Sequence, residues 1–297
     1  MRITFVGMAG AFSLAALTSA RGIGTVVAIL QAQPLAEGRA RRLATLARLP
    51  GLSRFDPLRA AARAAGAAFH RLSGLGGAAD DLVLERHASD LLLVAGCPFM
   101  IGEGTLRAFA HGGVNIHPAL LPRHRGILPY FWVYWHGDAE SGVTAHRMVP
   151  RADAGAILAQ ERLPLPRGHP VRALNDATAA ITERVVSTAL RAIQRGEAGT
   201  AQDERLATRA PALVAGTSMV PFDEWRVERV WHLLHGVQAY YHEPLRDSAG
   251  RRCTYAAVGP MTHAPDTGRP GTVEMRGSDG TLHCRGGTIS LAGVRLA

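Results

Sequence analysis

Short apolar runs separated by helical stretches fill the first two thirds of the chain, and this alternation restricts the fold more than any other feature. Ile3–Val6, Thr25–Leu30, Leu91–Ala95, Val114–Ile116 and Val143–Met148 read as strands. Several are apolar on both faces, as in a sheet covered on both sides. Helical signals lie between them. A glycine turn, Gly7–Gly10, leads into a helix over Phe12–Ala20, and Pro57 opens another through Ala61–Ala65. Val171–Arg195 is apolar at Val171, Leu174, Ile181, Val185 and Ala189 and is bounded by Pro170 and Gly196. Strand and helix alternating in this way predict an α/β fold with a Rossmann-like, mostly parallel, doubly wound sheet.

The pattern then changes. Gly196–Pro211 is polar, has no sustained apolar period and reads as a linker. Beyond it, Trp225–Val237 is a short amphipathic helix. Strand-like pieces follow at Thr254–Val258, Thr272–Met275, Thr281–Cys284 and Thr288–Leu291, punctuated by Gly, Pro and Asp, including Asp279-Gly280. They predict a small β-barrel-like or sandwich domain. The expected division is residues 1–205 as a Rossmann-like α/β domain and 206–297 as an OB-like β domain. At 297 residues the chain has length enough for two such cores.

Composition removes several classes of function. Cys97, Cys253 and Cys284 are too widely spaced for a disulfide framework or a Cys-x-x-Cys zinc pattern. His111, His117 and His124 lack the i, i+4 spacing of a helical zinc pair, so no metal is expected. The apolar stretch from Ile3 to Ala20 is interrupted by Gly7 and Gly10, which suits strand, turn and helix better than a signal peptide. No stretch reaches the roughly 20 apolar residues of a membrane span, and the expected location is the cytoplasm. The formal charge is +9, and all 33 basic residues are arginine. A coding bias or a polyanionic partner would each produce this, and charge alone does not choose between them. The Arg-rich piece Arg39–Arg54 reads as a surface helix or a loop. Nothing in the sequence fixes an oligomeric state.

The most informative stretch is Asn115-Ile116-His117-Pro118-Ala119-Leu120-Leu121-Pro122, followed by Arg123-His124-Arg125-Gly126. A strand places Asn115 and His117 two residues apart and therefore on one side. It would end at the carboxyl edge of the sheet, where open α/β folds keep their ligand crevices. Asp153, in the turn Pro150–Gly155, can bring a carboxylate to the same cleft. From spacing alone, both a structural Asn-x-His pair beside a turn aspartate and a catalytic group stand open.

The stretch Asn115–Gly126 resembles the signature of the 10-formyltetrahydrofolate-dependent formyltransferases. The similarity continues through Gly142-Val143-Thr144, Met148 and Asp153-Ala154-Gly155-Ala156-Ile157-Leu158, and includes the opening Met1–Gly7. Val220-Pro221-Phe222-Asp223-Glu224-Trp225 resembles the start of the C-terminal domain of the methionyl-tRNA and sugar members. The resemblance implies that Asn115, His117 and Asp153 are catalytic. Asn115 would donate to the oxyanion formed when an amine attacks the formyl carbon. Asp153 would raise the pKa of His117 and favour its imidazolium. Phe99, Met100 and Ile101 on one side, and Pro150, Arg151 and Ala152 on the other, would hold 10-formyltetrahydrofolate. Two departures stand out: Ala119 where the family usually has Ser, and Val149-Pro150-Arg151-Ala152 where it has Asp-Glu-Gly-Leu.

The acceptor is approached through three residues. Gly10, in a glycine turn that is not a Gly-x-Gly-x-x-Gly fingerprint, is a weak phosphate-loop candidate. Arg125 would meet an anionic group. Tyr130 lies in the aromatic stretch Tyr130, Phe131, Trp132, Tyr134 and Trp135, which serves either core packing or an acceptor pocket. His146 reads as a packed or hydrogen-bonded histidine. The expected acceptor is the primary amine of a small molecule: an amino sugar, an amino acid or a specialised metabolite. The alternative is initiator methionyl-tRNA, less favoured because Ile127–Trp132 departs from the Ala-Ala-Pro-Ile type common in that group.

Overall fold

The computed structural model describes residues 1–32, 56–72 and 78–297, with side chains from residue 82 in the last of these. The Arg39–Arg54 piece lies outside the described residues. The chain forms two compact units. One comprises residues 1–127, 142–163 and 175–209, and the other residues 128–141, 164–174 and 210–297.

The first unit is built on strands β1 (Arg2–Gly7), β2 (Thr25–Gln31), β3 (Ala68–Arg71), β4 (Leu91–Ala95), β5 (Gly113–His117), β7 (Glu140–Arg147) and β8 (Ile157–Pro164). They form one sheet in the order β3-β2-β1-β4-β5-β7-β8, and the two-residue strands β6 (Arg125–Gly126) and β9 (Arg209–Ala210) lie outside it. The five strands β3, β2, β1, β4 and β5 are mutually parallel, and β7 runs antiparallel to β5. Residues 3–7 of β1 and all of β4 are buried, in line with their continuous apolar sequences. Helices α1 (Ala11–Ile23), α2 (Pro57–Ala65), α3 (Ala78–Glu85), α4 (Glu103–Arg107) and α6 (Val171–Gln194) alternate with or follow the strands. Helix α2 shows why the local sequence suffices for a start and a stop. Asp56 caps it by accepting from the amides of Leu58 and Arg59 at 3.1 and 3.3 Å, and Gly66 closes it in the left-handed region at φ 63°. One buried cluster includes Val6, Leu30, Leu92, Val94, Ile101, Leu106 and Phe109. Each large apolar side chain removed from water in this way contributes on the order of 1.5–3 kcal/mol.

The expected strands are present to within three residues at each end, and the mostly parallel, Rossmann-like sheet is as predicted. β3 and β8 were not anticipated. β3 is half-buried rather than apolar throughout, and most of β8 is likewise half-buried, so neither shows a clean period.

The second unit contains α5 (Pro129–His136), α7 (Val227–Val237) and strands β10 (Leu245–Asp247) to β16 (Arg295–Leu296). Its sheet runs β12-β15-β14-β13-β10-β11-β16, where β11 is Arg252–Thr254, β12 Ala257–His263, β13 Thr272–Arg276, β14 Asp279–Cys284 and β15 Gly287–Ala292. Asp279-Gly280 is not a turn. The β13–β14 hairpin turns at Gly277 and Ser278, with Gly277 at φ 65°, and Gly280 sits within β14 opposite Met275. The aromatic segment serves as core here: Phe131 and Tyr134 are fully buried, and the Tyr134 hydroxyl donates to the His169 carbonyl at 2.6 Å. Arg229 lies over the Trp225 ring at 3.9 Å.

Residues 199–208 do not behave as a free linker. Thr200 and Ile157 exchange both backbone hydrogen bonds at 2.8 Å, so this stretch is fastened to the start of β8. A short 3₁₀ turn follows at Glu204–Leu206. The polarity read as linker character belongs to side chains that bond the candidate site.

Candidate active site

β5 presents Asn115 and His117, and its antiparallel partner β7 places His146 opposite Asn115 and Thr144 opposite His117. The Thr144 hydroxyl donates to the Ala119 carbonyl at 2.7 Å and accepts from the Leu121 amide at 3.2 Å, so β7 also holds the proline-stiffened exit from β5. Between β7 and β8 the chain turns through Asp153, whose φ of 51° lies in the left-handed region. Gly155 is required by close approach. A Cβ there would fall 1.9 Å from the Arg147 carbonyl oxygen.

These elements converge on the Asp153 carboxylate. Its Oδ2 accepts from the Gly126 amide at 2.8 Å, and its Oδ1 accepts from Asn115 Nδ2 at 3.1 Å. His117 Nδ1 stands 3.7 Å from Oδ2, and His146 Nε2 stands 3.4 Å from Oδ1. The partners assign the tautomers. His117 Nε2 faces the His124 carbonyl at 2.9 Å and therefore carries the hydrogen, leaving the lone pair on Nδ1 toward Asp153. His146 Nδ1 donates to the Arg147 carbonyl at 2.8 Å, so its Nε2 accepts from Asn115 at 3.2 Å. Both acceptors lie on the Asn115 amide nitrogen.

Electrostatics separate the two titratable partners. Burial would push the Asp153 carboxyl up, but the charge of a protonated His117, a hydrogen bond and charge from a protonated His146, and the Gly126 N–H outweigh it as the carboxyl titrates and hold the group well below the usual carboxylate range. For His117, burial is the largest effect and pushes the imidazole down. Asp153 and the hydrogen bond to the His124 carbonyl pull it up, the His146 and His124 rings push it down, and the net lies below the ordinary histidine value. The expected imidazolium is thus corrected for the unliganded site: Asp153 acts in the anticipated direction, but desolvation of a side chain only 5% exposed is stronger. Asp153 is ionised and His117 neutral near pH 7.

The other residues singled out in the sequence fall as follows. Ile101 is buried, Phe99 is half-buried against the core cluster and Met100 is 56% exposed. Arg151 pairs with Glu204. Gly10 precedes α1, and its amide is bonded to the Met8 carbonyl at 2.9 Å. Arg125 is occupied: Nε and Nη2 donate to Gln202 Oε1 at 3.1 and 2.7 Å, while Nη1 and Nη2 donate to Glu204 at 3.0 and 2.9 Å. Tyr130 belongs to the second unit. His146 is buried and hydrogen-bonded, as its sequence reading had it, but its place beside Asn115 was not foreseen; Gln202 and Thr208, whose hydroxyl accepts from the His124 amide at 2.8 Å, were missed. Among the described residues, no group of three or more His, Cys, Asp or Glu could hold a metal ion. No helix among them is long and apolar enough to cross a membrane.

A family model described as formyl transferase matches residues 14–190. The chain belongs to that family. A methionyl-tRNA formyltransferase of Anaeromyxobacter dehalogenans is 30% identical over 98% of this chain and 90% of its own. One from Moorella thermoacetica is 28% identical over 64% of this chain, which spans 63% of that relative. Among solved structures, the sugar 3N-formyl transferase WlaRD, determined with dTDP and 5-N-formyl-THF, superposes with a TM-score of 0.68 at 12% identity, over 99% of this chain and 97% of its own. At that identity the superposition carries the fold of this formyltransferase, with both its α/β part and its C-terminal β part.

Proposed function

We propose that the chain transfers the formyl group of 10-formyltetrahydrofolate to a primary amine at the cluster of Asn115, His117 and Asp153. The observation that carries this reading is a buried imidazole whose Nδ1 stands 3.7 Å from the Asp153 carboxylate, next to the Asn115 amide donor. Attack of the amine on the formyl carbon makes the new C–N bond and a tetrahedral oxyanion with a positive nitrogen. Asn115 donates to that oxyanion by releasing one of its two protein acceptors, and such a donor is worth about 3–4 kcal/mol. His117 Nδ1 takes the proton from the new ammonium, directly or through one water, and the imidazolium so formed is paired by Asp153. The proton then passes to folate N10 as the C–N10 bond breaks, releasing tetrahydrofolate and the formamide. The imidazolium thus belongs to the intermediate rather than to the resting site. Phe99, Met100, Ile101, Pro150, Arg151 and Ala152 are proposed to flank the folate.

The relatives reorder the acceptors. The sequence reading put a small amine ahead of tRNA. A relative matched over nearly the whole of both chains is a methionyl-tRNA formyltransferase, which supports the amino group of methionyl-tRNA as the first acceptor to test. An amino sugar is the second reading, supported by the departure at Ile127–Trp132. The test is incubation of the protein and 10-formyltetrahydrofolate with charged initiator tRNA and, separately, with nucleotide-linked amino sugars, followed by mass spectrometry. A formyl mass gain on the aminoacyl group supports the first reading, and a gain on the sugar alone replaces it with the second.

A further inference from the structure

We propose that Gln202 is a positioning residue for this reaction, clamping the backbone of Asp153 and Gly155 so that the Asp153 carboxylate stays against Asn115 and His117. Its chemical consequence rests on the formyl-transfer reading, whereas the clamp rests on geometry alone. Gln202 lies 49 residues from Asp153 in sequence, within the polar stretch that suggested a linker. Its Nε2 donates to the carbonyl oxygens of Asp153 and Gly155 at 2.8 and 2.7 Å. Its Oε1 accepts from Arg125 Nε and Nη2 at 3.1 and 2.7 Å. The amide orientation is settled by these partners, because the reverse would set oxygen against two carbonyls and nitrogen against a guanidinium. Arg125 is in turn gripped by Glu204, and the paired bonds between Thr200 and Ile157 dock the same stretch on β8.

What the clamp holds is a conformation that needs holding. Asp153 has φ 51°, in the left-handed region that is sparsely occupied by residues with a side chain, although Asp enters it more readily than most. Two residues on, Gly155 lies against the end of β7 too closely to admit a Cβ. Gln202 ties the carbonyls at both points, and Gly126 holds the carboxylate itself. Without Gln202, two carbonyls lose their donor and the turn is free to relax. The carboxylate then drifts from His117, which removes the larger of the two influences, Asp153 and the His124 carbonyl, that hold its pKa up.

The experiment follows the His117 ring in the full-length protein by NMR, its signal assigned by loss in His117→Ala. Gln202→Ala and Gln202→Met are compared with wild type. Methionine keeps the length without the donors, and it carries the test if the alanine variant does not fold. Each variant is expected to lower the His117 titration midpoint by about half a unit or more, the direction also expected for Asp153→Asn. With methionyl-tRNA as acceptor, kcat is expected to fall about tenfold while the KM for folate stays within about threefold. An unchanged midpoint in folded variants, whatever their melting temperature, overturns the positioning role. A wild-type chain that transfers no formyl group to any amine overturns the functional reading alone, since the midpoint is read without an acceptor.

Discussion

Replacing Asp153 by asparagine keeps the shape of the side chain and removes its charge, and the structure sets the size of the loss. The carboxylate accepts from two donors on different oxygens, the Gly126 amide at 2.8 Å and Asn115 Nδ2 at 3.1 Å. An asparagine side chain has one oxygen, so its NH₂ must face one of those donors. A buried donor left without an acceptor costs about 1–3 kcal/mol. The charge matters more in the intermediate. An imidazolium 3.7 Å from the carboxylate gains on the order of 4 kcal/mol at an effective dielectric of 20. Allowing for partial compensation by solvent and by the polar asparagine, about 2–4 kcal/mol remains, or roughly 30- to 1,000-fold in turnover. The assay is single-turnover formation of tetrahydrofolate from 10-formyltetrahydrofolate with saturating acceptor, beside a circular dichroism spectrum. Turnover within threefold of wild type in a natively folded Asp153→Asn protein refutes the assignment of Asp153 as the partner of the imidazolium.

Three further outcomes are expected. His117→Ala lowers kcat by at least about 100-fold with the fold intact, checked by the same assay. Gly155→Ala forces the Asp153 turn away from the Arg147 carbonyl, lowers stability by about 1–3 kcal/mol in thermal melts and reduces turnover at least tenfold. Burial holds His117 below the ordinary histidine value, so an NMR titration of its ring in the free protein shows a midpoint lower than that of an exposed histidine, and a midpoint above about 7 contradicts that protonation state.

The fold was legible where burial makes the sequence uniform. β1 and β4 are apolar because both faces are covered, and α2 carries its own cap and stop. The members of the candidate cluster were legible because Asn115 and His117 share one strand and Asp153 sits in a recognisable turn motif. His146 was not, because only the antiparallel register of β7 against β5 sets it beside Asn115, and no local pattern encodes register between distant strands. Gln202, Glu204 and Thr208 were missed for a related reason. Polar side chains that bond a buried turn have the composition of a solvated loop, and they differ from it only in their partners. The protonation state of His117 was misjudged because a sequence gives the neighbouring charge and not the depth of burial.

The most direct test of the central claim uses 10-formyltetrahydrofolate labelled at the formyl carbon, methionyl-tRNA as acceptor, and mass spectrometric detection of the label. Wild-type protein is expected to place one label on each amino group formylated, with one tetrahydrofolate released. Asn115→Ala, His117→Ala and Asp153→Ala are each expected to lower that rate by at least about 100-fold while leaving the melting transition cooperative. Label appearing only as free formate, or transfer continuing at near wild-type rate in any of the three variants, contradicts the account.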